Sequence, residues 1–441
     1  MVNNLNNPIS YDRSGDCIKE PPRNTRVFAD VDVAVVGGGM AGVGAAISAA
    51  RAGAKTLLIE AFGCLGGTGT SGMVNCFCGF TTYGDSEKKQ IVQGIGGEIH
   101  RNLYDLNGVA DMKSFVFNPE ILKLILDRMA EEAGVQVLYY THVTDTILEE
   151  NSIKGLIIEN KAGRQAVIAK RVIDCTGDGD VCALSGVPFE LGDGSGNFLS
   201  CDMVFHMVNV GNFSADVLNE TIKRKFGSGE YELTRPQIIT REICIPGAYW
   251  VNWAGIPWPA NCVDPLHLTK AAIDGRRIVR ELRRFLRAEV PGFENMDVID
   301  TAPMIGIRES RRVFGDYILK KEDISSCTKF DDGIGACAWP FEIVDPVKGR
   351  IFEWLPAGEY YTIPYRVLLP RGVENLLMAG RFVSCTHEAQ SSTRVMGPAV
   401  VMGQAAGTAA AISLDRNVSP RKVDTGELRA ALVSANAFIG E

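Results

Sequence analysis

The stretch Val31-Asp-Val-Ala-Val-Val-Gly37-Gly-Gly39-Met40-Ala41-Gly42-Val-Gly44-Ala-Ala, closed by Thr56-Leu-Leu-Ile-Glu60, decides the fold. An apolar strand runs into a glycine-rich turn, an alanine-rich helix follows, and a second apolar strand ends on a carboxylate. Each part has a job in holding a dinucleotide. Gly37 permits the tight turn and Gly39 lets the backbone approach a pyrophosphate, while Gly42 and Gly44 let the helix lie close on the sheet. The helix start presents free N–H groups and partial positive charge to phosphates. Glu60, about 18 residues past Gly42, is placed to accept hydrogen bonds from a ribose.

At 441 residues the chain is long for one core, so two joined domains are expected. Apolar residues make up 46% and charged residues 22%, the balance of an ordinary globular protein. The net charge of -8 argues against nucleic acid and against an anionic membrane as partners, because both select basic surface. Met1-Val-Asn-Asn-Leu-Asn-Asn lacks the basic and apolar regions of a signal peptide, so a cytoplasmic location is expected. Val395–Leu414 carries no charge and is long enough to span a bilayer, but Pro398, Gln404, Thr408 and its many small residues read as a buried helix. The twelve cysteines are scattered without a C-x-x-C, and Cys76 and Cys78 form the only close pair. They read as reduced thiols, with a redox pair or a reactive thiol as lesser alternatives. No metal site is expected, and monomer and homodimer both stay open.

Residues 1–28 read as an irregular arm. Ala61-Phe-Gly-Cys-Leu-Gly66-Gly67-Thr68-Gly69-Thr70-Ser71-Gly72 is too glycine-rich for regular structure and leaves the edge of the sheet where ligands sit. Proline at the first turn and apolar spacing predict a helix from Pro119 to Ala133. Strand-like runs follow at 135–140, 143–149, 153–159 and 165–173, a small antiparallel meander returning to the main sheet. Residues 186–364 are irregular and Pro-rich apart from a strong helix near 265–288, and they read as a substrate or cap domain. Residues 29–185 and 365–415 would form the discontinuous cofactor domain, and 416–441 a tail helix.

Two further motifs fix the reading. Thr176-Gly177-Asp178-Gly179-Asp180 follows a strand, as a second backbone contact to the cofactor would. Asn375-Leu-Leu-Met-Ala-Gly380-Arg381 is an apolar strand ending in glycine, followed by the polar loop Ser384–Arg394 and a helix starting near Gly397-Pro398. With Ile305–Tyr317, these segments make the chain resemble the FAD-dependent oxidoreductases with the glutathione-reductase-like FAD fold. Within that family it looks most like the group related to succinate/fumarate and tricarballylate-type flavoenzymes. The resemblance implies an α/β, Rossmann-like FAD/NAD(P)-binding fold. A central parallel sheet and β-meander would be joined by a second, interleaved α+β substrate domain.

The resemblance also implies roles. Gly37, Gly39, Met40, Ala41 and Gly42 would hold the pyrophosphate, and Glu60 and Ala61 the adenosine ribose. Gly66, Gly67 and Thr68 would line the flavin side, Val143 would meet adenine, and Thr176, Gly177 and Asp178 would close over the ADP portion. Gly380 and Arg381 would sit at the ribitol, with Pro398 and Ala399 opening a helix aimed at the flavin pyrimidine ring. FAD would be held non-covalently, the alternative being a link at a residue such as Cys64. No second strand–glycine–helix unit marks a nicotinamide domain.

His387, in the polar loop, is the expected acid/base, with Arg394 and Arg308 as candidate clamps for developing charge and Glu388 and Gln390 behind them. Trp339-Pro-Phe-Glu342-Ile-Val344 has valine where relatives often carry histidine, which puts in doubt a mechanism needing a second histidine. Tyr249, Trp250, Trp253 and Trp258 are candidates for a substrate wall or plain core. The expected function is hydride transfer between flavin N5 and a small organic substrate, with NAD(P)H or O2 as candidate second substrates. The alternatives are an FAD monooxygenase and a non-catalytic flavin-fold regulator.

Overall fold

The structure, a computed structural model, describes residues 22–84, 87–345 and 349–440, together with the short strands Arg13–Ser14 and Cys17–Ile18. The expected arm lies largely outside them, and the first long strand, Arg26–Val36, already begins at Arg26. Its last four residues, Val33–Val36, are apolar and buried, the pattern of a strand covered on both faces.

That strand is central to a seven-stranded sheet. Thr56–Ile59 and then Gln136–Leu138 add in parallel on one side. Gly163–Asp174 adds in parallel on the other. The first half of Gly163–Asp174 also pairs antiparallel with Ser152–Asn160, which pairs antiparallel with His142–Glu149. Where that meander peels away, Leu376–Met378 takes over in parallel against Val172–Asp174. The expected meander is therefore present, and the chain returns near its end to complete the sheet beside the glycine motif.

Helix ends follow local chemistry. Pro119–Glu132 starts where Asn118 accepts from Glu120 N at 2.9 Å, with Pro119 in the first turn. Asp264 caps Pro265–Glu289 in the same way. The helix expected near Gly397-Pro398 begins at Met396, which puts Pro398 within the first turn, where a missing N–H costs nothing.

Two helices cross at the heart of the molecule, Met40–Arg51 and Met396–Asp415. Their backbones touch because glycines stand at the crossing. A Cβ on Gly403 would lie 1.9 Å from Ala41 O, and one on Gly407 would lie 2.1 Å from Ala45 O. Ser48 Oγ donates across the crossing to Gln404 O at 3.0 Å. Met396–Asp415 has the length and apolarity of a membrane span, but it is buried inside the protein.

A second core sits apart from the first. Its sheet is antiparallel, in the order Ile239–Glu242, Tyr249–Gly255, Asp202–Val208, Asp297–Thr301. The apolar face of Pro265–Glu289 packs on it through Ile278, Leu282 and Phe285. Trp253 is wholly buried there, its Nε1 donating to Arg235 O at 3.0 Å. Val313, Ile334, Tyr361 and Leu368, further along the chain, pack into the first core instead.

Gly403→Ala forces the crossing helices apart and is expected to lower stability by about 1–3 kcal/mol, the usual cost of overpacking. Thermal and urea unfolding measure this. An unchanged melting temperature would mean the crossing is looser than the structure shows.

Candidate active site

A cavity of about 510 Å³ opens between the carboxyl edge of the parallel sheet and the second core. On the sheet side it is lined by Gly37, Gly39, Met40 and Ala41 from the glycine turn, and by Glu60 and Ala61 from the end of Thr56–Ile59. Gly66, Gly67 and Thr68 follow, with Val143 from the meander. Thr176, Gly177 and Asp178 close one flank, and Gly380, Arg381 and Ala399 another. The polar wall opposite carries Arg308 and Arg394. Gly42 and Pro398 do not reach the cavity. Gly42 instead lets the helix sit on the turn, since a Cβ there would overlap Gly37 O, and Pro398 packs beside Gly79.

The turn fits a dinucleotide phosphate. Gly37 has φ +95°, and a Cβ there would lie 2.4 Å from Cys175 O, so the position requires glycine. At Gly39 a Cβ would meet nothing within 4 Å, because that face looks into the cavity at the start of Met40–Arg51. Open space above a backbone N–H at a helix start is an anion cradle. Glu60 is buried and held by Phe62 N at 2.7 Å and by Gly38 N. Burial raises its pKa, against the pull of these two N–H donors. Its carboxylate is thereby fixed at the cavity edge.

Further round, Asp174 ends the strand Gly163–Asp174 beneath the Thr176 turn. It accepts from Thr176 N at 3.0 Å, Thr176 Oγ1 at 2.8 Å and Cys182 N at 2.9 Å. Burial raises it to about 6. Arg381 pairs with Asp178 at 2.6 Å, joining the two flanking motifs across the cavity. Gln390 Nε2 ties this side to the far wall, donating to Arg381 O at 3.1 Å and Arg308 O at 3.2 Å.

The far wall is polar and rich in arginine. Arg308 donates to Ser200 O at 2.6 Å and pairs with buried Asp202, which Arg235 also holds at 2.5 Å. Glu342 pairs with Arg394 at 2.9 Å and with Arg350 at 3.2 Å. Burial works to raise Glu342, but Arg394 and Arg350 outweigh it and hold its carboxyl low. Burial, with Arg308 nearby, pushes Arg350 down to about 10. Arg241 also lines the cavity, its Nη1 donating only to its neighbour Thr240 O at 2.8 Å. Trp250 Nε1, Asn252 Oδ1 and Arg394 Nε are buried without a hydrogen-bond partner among the described residues. Such atoms at a cavity wall await a ligand.

Of the expected catalytic residues, Arg308 and Arg394 face the cavity, whereas His387 and Glu388 do not. The reason is local. Thr386 caps the short helix His387–Thr393, and His387 turns away to put Nδ1 2.8 Å from Glu309 Oε1. Glu309 is fully buried, bonded as well to Arg312 and to Leu199 N at 2.9 Å. Burial alone would lower the His387 pKa, but the Glu309 carboxylate outweighs it and raises it. Of the aromatic candidates, Trp250 lines the cavity, Trp253 is core, and Trp258 donates to Asp274 at 3.0 Å. Cys64 lies off the cavity, near Ser71 Oγ at 3.5 Å. Asp202, Arg241, Asn252 and Arg350 carried no local motif and were missed.

Residues 32–432 match the FAD dependent oxidoreductase family, and the chain belongs to it. It is a flavoenzyme, and its cofactor is FAD. A thiamine thiazole synthase of Methanococcus aeolicus is 34% identical over 176 residues, 37% of this chain and 62% of that protein. One of Saccharolobus islandicus is 29% identical over 182 residues, 38% of this chain and 63% of that protein. The matches thus span less than two thirds of these curated relatives. Among solved structures, a geranylgeranyl bacteriochlorophyll reductase-like protein of Thermoplasma acidophilum covers 93% of this chain and 84% of its own, at 16% identity and a TM-score of 0.47. The L-proline dehydrogenase of P. horikoshii covers 92% and 99%, at 12% identity and 0.42.

Gly39→Val places methyl groups in the phosphate cradle without straining the backbone. The variant is expected to fold and to weaken FAD binding by about a hundredfold or more, a loss of roughly 2.8 kcal/mol. Fluorescence titration with FAD reads this, and unweakened binding would move the cofactor elsewhere.

His387→Ala is expected to lower stability by about 1.5–3 kcal/mol at pH 5.5, the range of a hydrogen bond between charged groups. The folded His387 pKa lies above its ordinary 6.5, so the stabilisation is complete below 6.5 and is lost as pH rises through the folded value. Urea unfolding at pH 5.5 and 9 should show a large difference from wild type and then a small one.

Proposed function

We propose that the enzyme moves a hydride between flavin N5 and a small organic anion, a substrate bearing a carboxylate or an equivalent oxyanion. One observation carries this reading: on the wall opposite the sheet four guanidiniums, Arg241, Arg308, Arg350 and Arg394, stand against two carboxylates, Asp202 and Glu342, whereas on the sheet side Asp178 and Asp180 are matched by Arg381 and Arg311. Positive charge in excess within a half-buried wall is costly unless an anion completes it. Arginine suits the task because its planar fork grips a carboxylate through two hydrogen bonds.

Within this reading each residue has a definite part. FAD supplies the two-electron chemistry when bound, along the wall from Glu60 to Ala399. Arg394, on the turn that leads into Met396–Asp415, orients the anion and steadies negative charge that grows on the substrate. Arg350 and Arg308 add to the same field, while Asp202 and Glu342 hold the guanidiniums in place. Trp250 Nε1 and Asn252 Oδ1 meet the polar groups of the substrate remote from its carboxylate. His387 acts as a positioning residue, since its partner Glu309 lies next to Arg308 in sequence. The second substrate is O2 or NAD(P)H, and the setting is cytoplasmic. The region around 201–307 forms the substrate-side unit, and the segments about the parallel sheet form the cofactor unit.

Anaerobic bleaching of the bound flavin by a panel of hydroxy acids and amino acids, beside their esters and amides, tests the proposal. Acids are expected to bleach it and their neutral counterparts to fail. Reduction by neutral compounds alone would overturn it, and a C4a-peroxide absorbance after NADPH reduction in air would favour the monooxygenase. Arg241→Gln, which leaves no carboxylate unpaired, is expected to raise KM about 10–100-fold with kcat nearly unchanged, the signature of lost uniform binding.

A further inference from the structure

Cys76 and Cys78 stand on the cavity wall, and the site described above does not use them. Their placement follows from the local backbone. Cys76 forms an antiparallel bridge with Val116, and Phe77 N donates to Phe115 O at 2.8 Å, so the chain is extended at Cys76 and Phe77 before it turns at Cys78. Side chains alternate along an extended chain. Phe77 therefore points into the core, stacked 4.7 Å from Phe80 and 4.4 Å from Phe117. The two thiols on either side of it both line the cavity, two residues apart and close enough to influence each other.

The pair is anchored at the flavin end. Cys78 O accepts from Gly397 N at 3.1 Å, in the first turn of Met396–Asp415, whose Met396 and Ala399 line the cavity. A Cβ on Gly397 would lie 2.8 Å from Cys78 O, so the two segments are in direct backbone contact. The two sulfurs are also unequal. Cys78, aided by Arg241, lowers the Cys76 thiol, whereas Cys78 is raised well above the ordinary value by Cys76 and by burial. A thiol that ionises more readily than its neighbour is the polarity of an attacking and a resolving cysteine. Cys201 and Cys262 also lie close together, but they are buried and off the cavity.

We propose that Cys76 and Cys78 form a dithiol/disulfide couple that exchanges two electrons with FAD, giving the holoenzyme a second redox centre. In the reductive direction the S–S bond breaks and two S–H bonds form. Two electrons and one proton come from reduced FAD, and the second proton comes from water. In the opposite direction the same bonds and charges are exchanged in reverse. A bridge across one intervening residue is a small, strained ring, so it is readily reduced and suits cycling rather than structural support.

Anaerobic dithionite titration of ferricyanide-oxidised holoenzyme tests the proposal. Wild type is expected to take up four electrons per FAD, and Cys76→Ser and Cys78→Ser two. Peptide mapping of the oxidised protein should find the segment holding both cysteines lighter by two hydrogens. As a control that needs no substitution, wild type is also titrated after treatment with phenylarsine oxide, which caps adjacent dithiols. Pre-reduced, capped and re-oxidised enzyme should take up two electrons. Uptake of two electrons by untreated wild type, or four by the serine variants with the bridge mapped to Cys201–Cys262, would overturn the proposal. Failure of the FAD assignment itself would appear differently, as a protein without flavin absorbance.

Discussion

Backbone contact between Met40–Arg51 and Met396–Asp415 is the constraint on which the rest of the structure depends. The first helix starts at the glycine turn, and the second starts with Met396 and Ala399 on the cavity lining. Gly44, Gly403 and Gly407 remove every side-chain atom that would separate them. The crossing thereby sets the distance between two helix starts that present N–H groups to one elongated ligand. It also explains why an apolar, membrane-length segment carries so much glycine and alanine. Lipid contact would favour larger side chains, whereas a close crossing excludes them.

The far wall works by different physics. Its charges sit in a site where water is scarce, so each pairing is strong and each unpaired group is costly. Asp202 and Glu342 each serve two arginines, which leaves the wall short of negative charge. Gln390 and the Arg381–Asp178 pair tie this wall to the flank opposite, so the two sides of the cavity share one hydrogen-bond framework. Glu309, which follows Arg308 in sequence, forms a cluster with His387 and Arg312 behind that framework, off the cavity lining.

The parts of this account legible in the sequence are those written in contiguous residues. Strand, glycine turn, helix and terminal acid lie within one short window, and their geometry follows from φ at Gly37 and from the burial of Val31–Val36. The flanking motifs at Thr176 and Gly380 were legible for the same reason, each being a strand end followed by a glycine. His387 was misplaced because a polar loop between two cofactor motifs says nothing about which way a side chain turns, and a buried carboxylate distant in sequence claimed it. Asp202, Arg241 and Arg350 come from strands of an antiparallel sheet and a hairpin in the irregular middle of the chain. Nothing local marks them, and only the fold brings them to Arg308 and Arg394. Val344 was visible as a departure from the family pattern, but the role of nearby Glu342 as the shared partner of two arginines was not.

The central claim is that one cavity holds FAD along its whole length, from the Glu60 edge to the helix that begins at Met396. Calorimetric titration of apoprotein with FAD and, separately, with FMN tests it most directly, because FMN lacks the adenosine half that Glu60 and the glycine turn would grip. The account predicts one FAD per chain and FMN binding weaker by about a hundredfold or more, roughly 2.8 kcal/mol. FMN binding as tightly as FAD would contradict it.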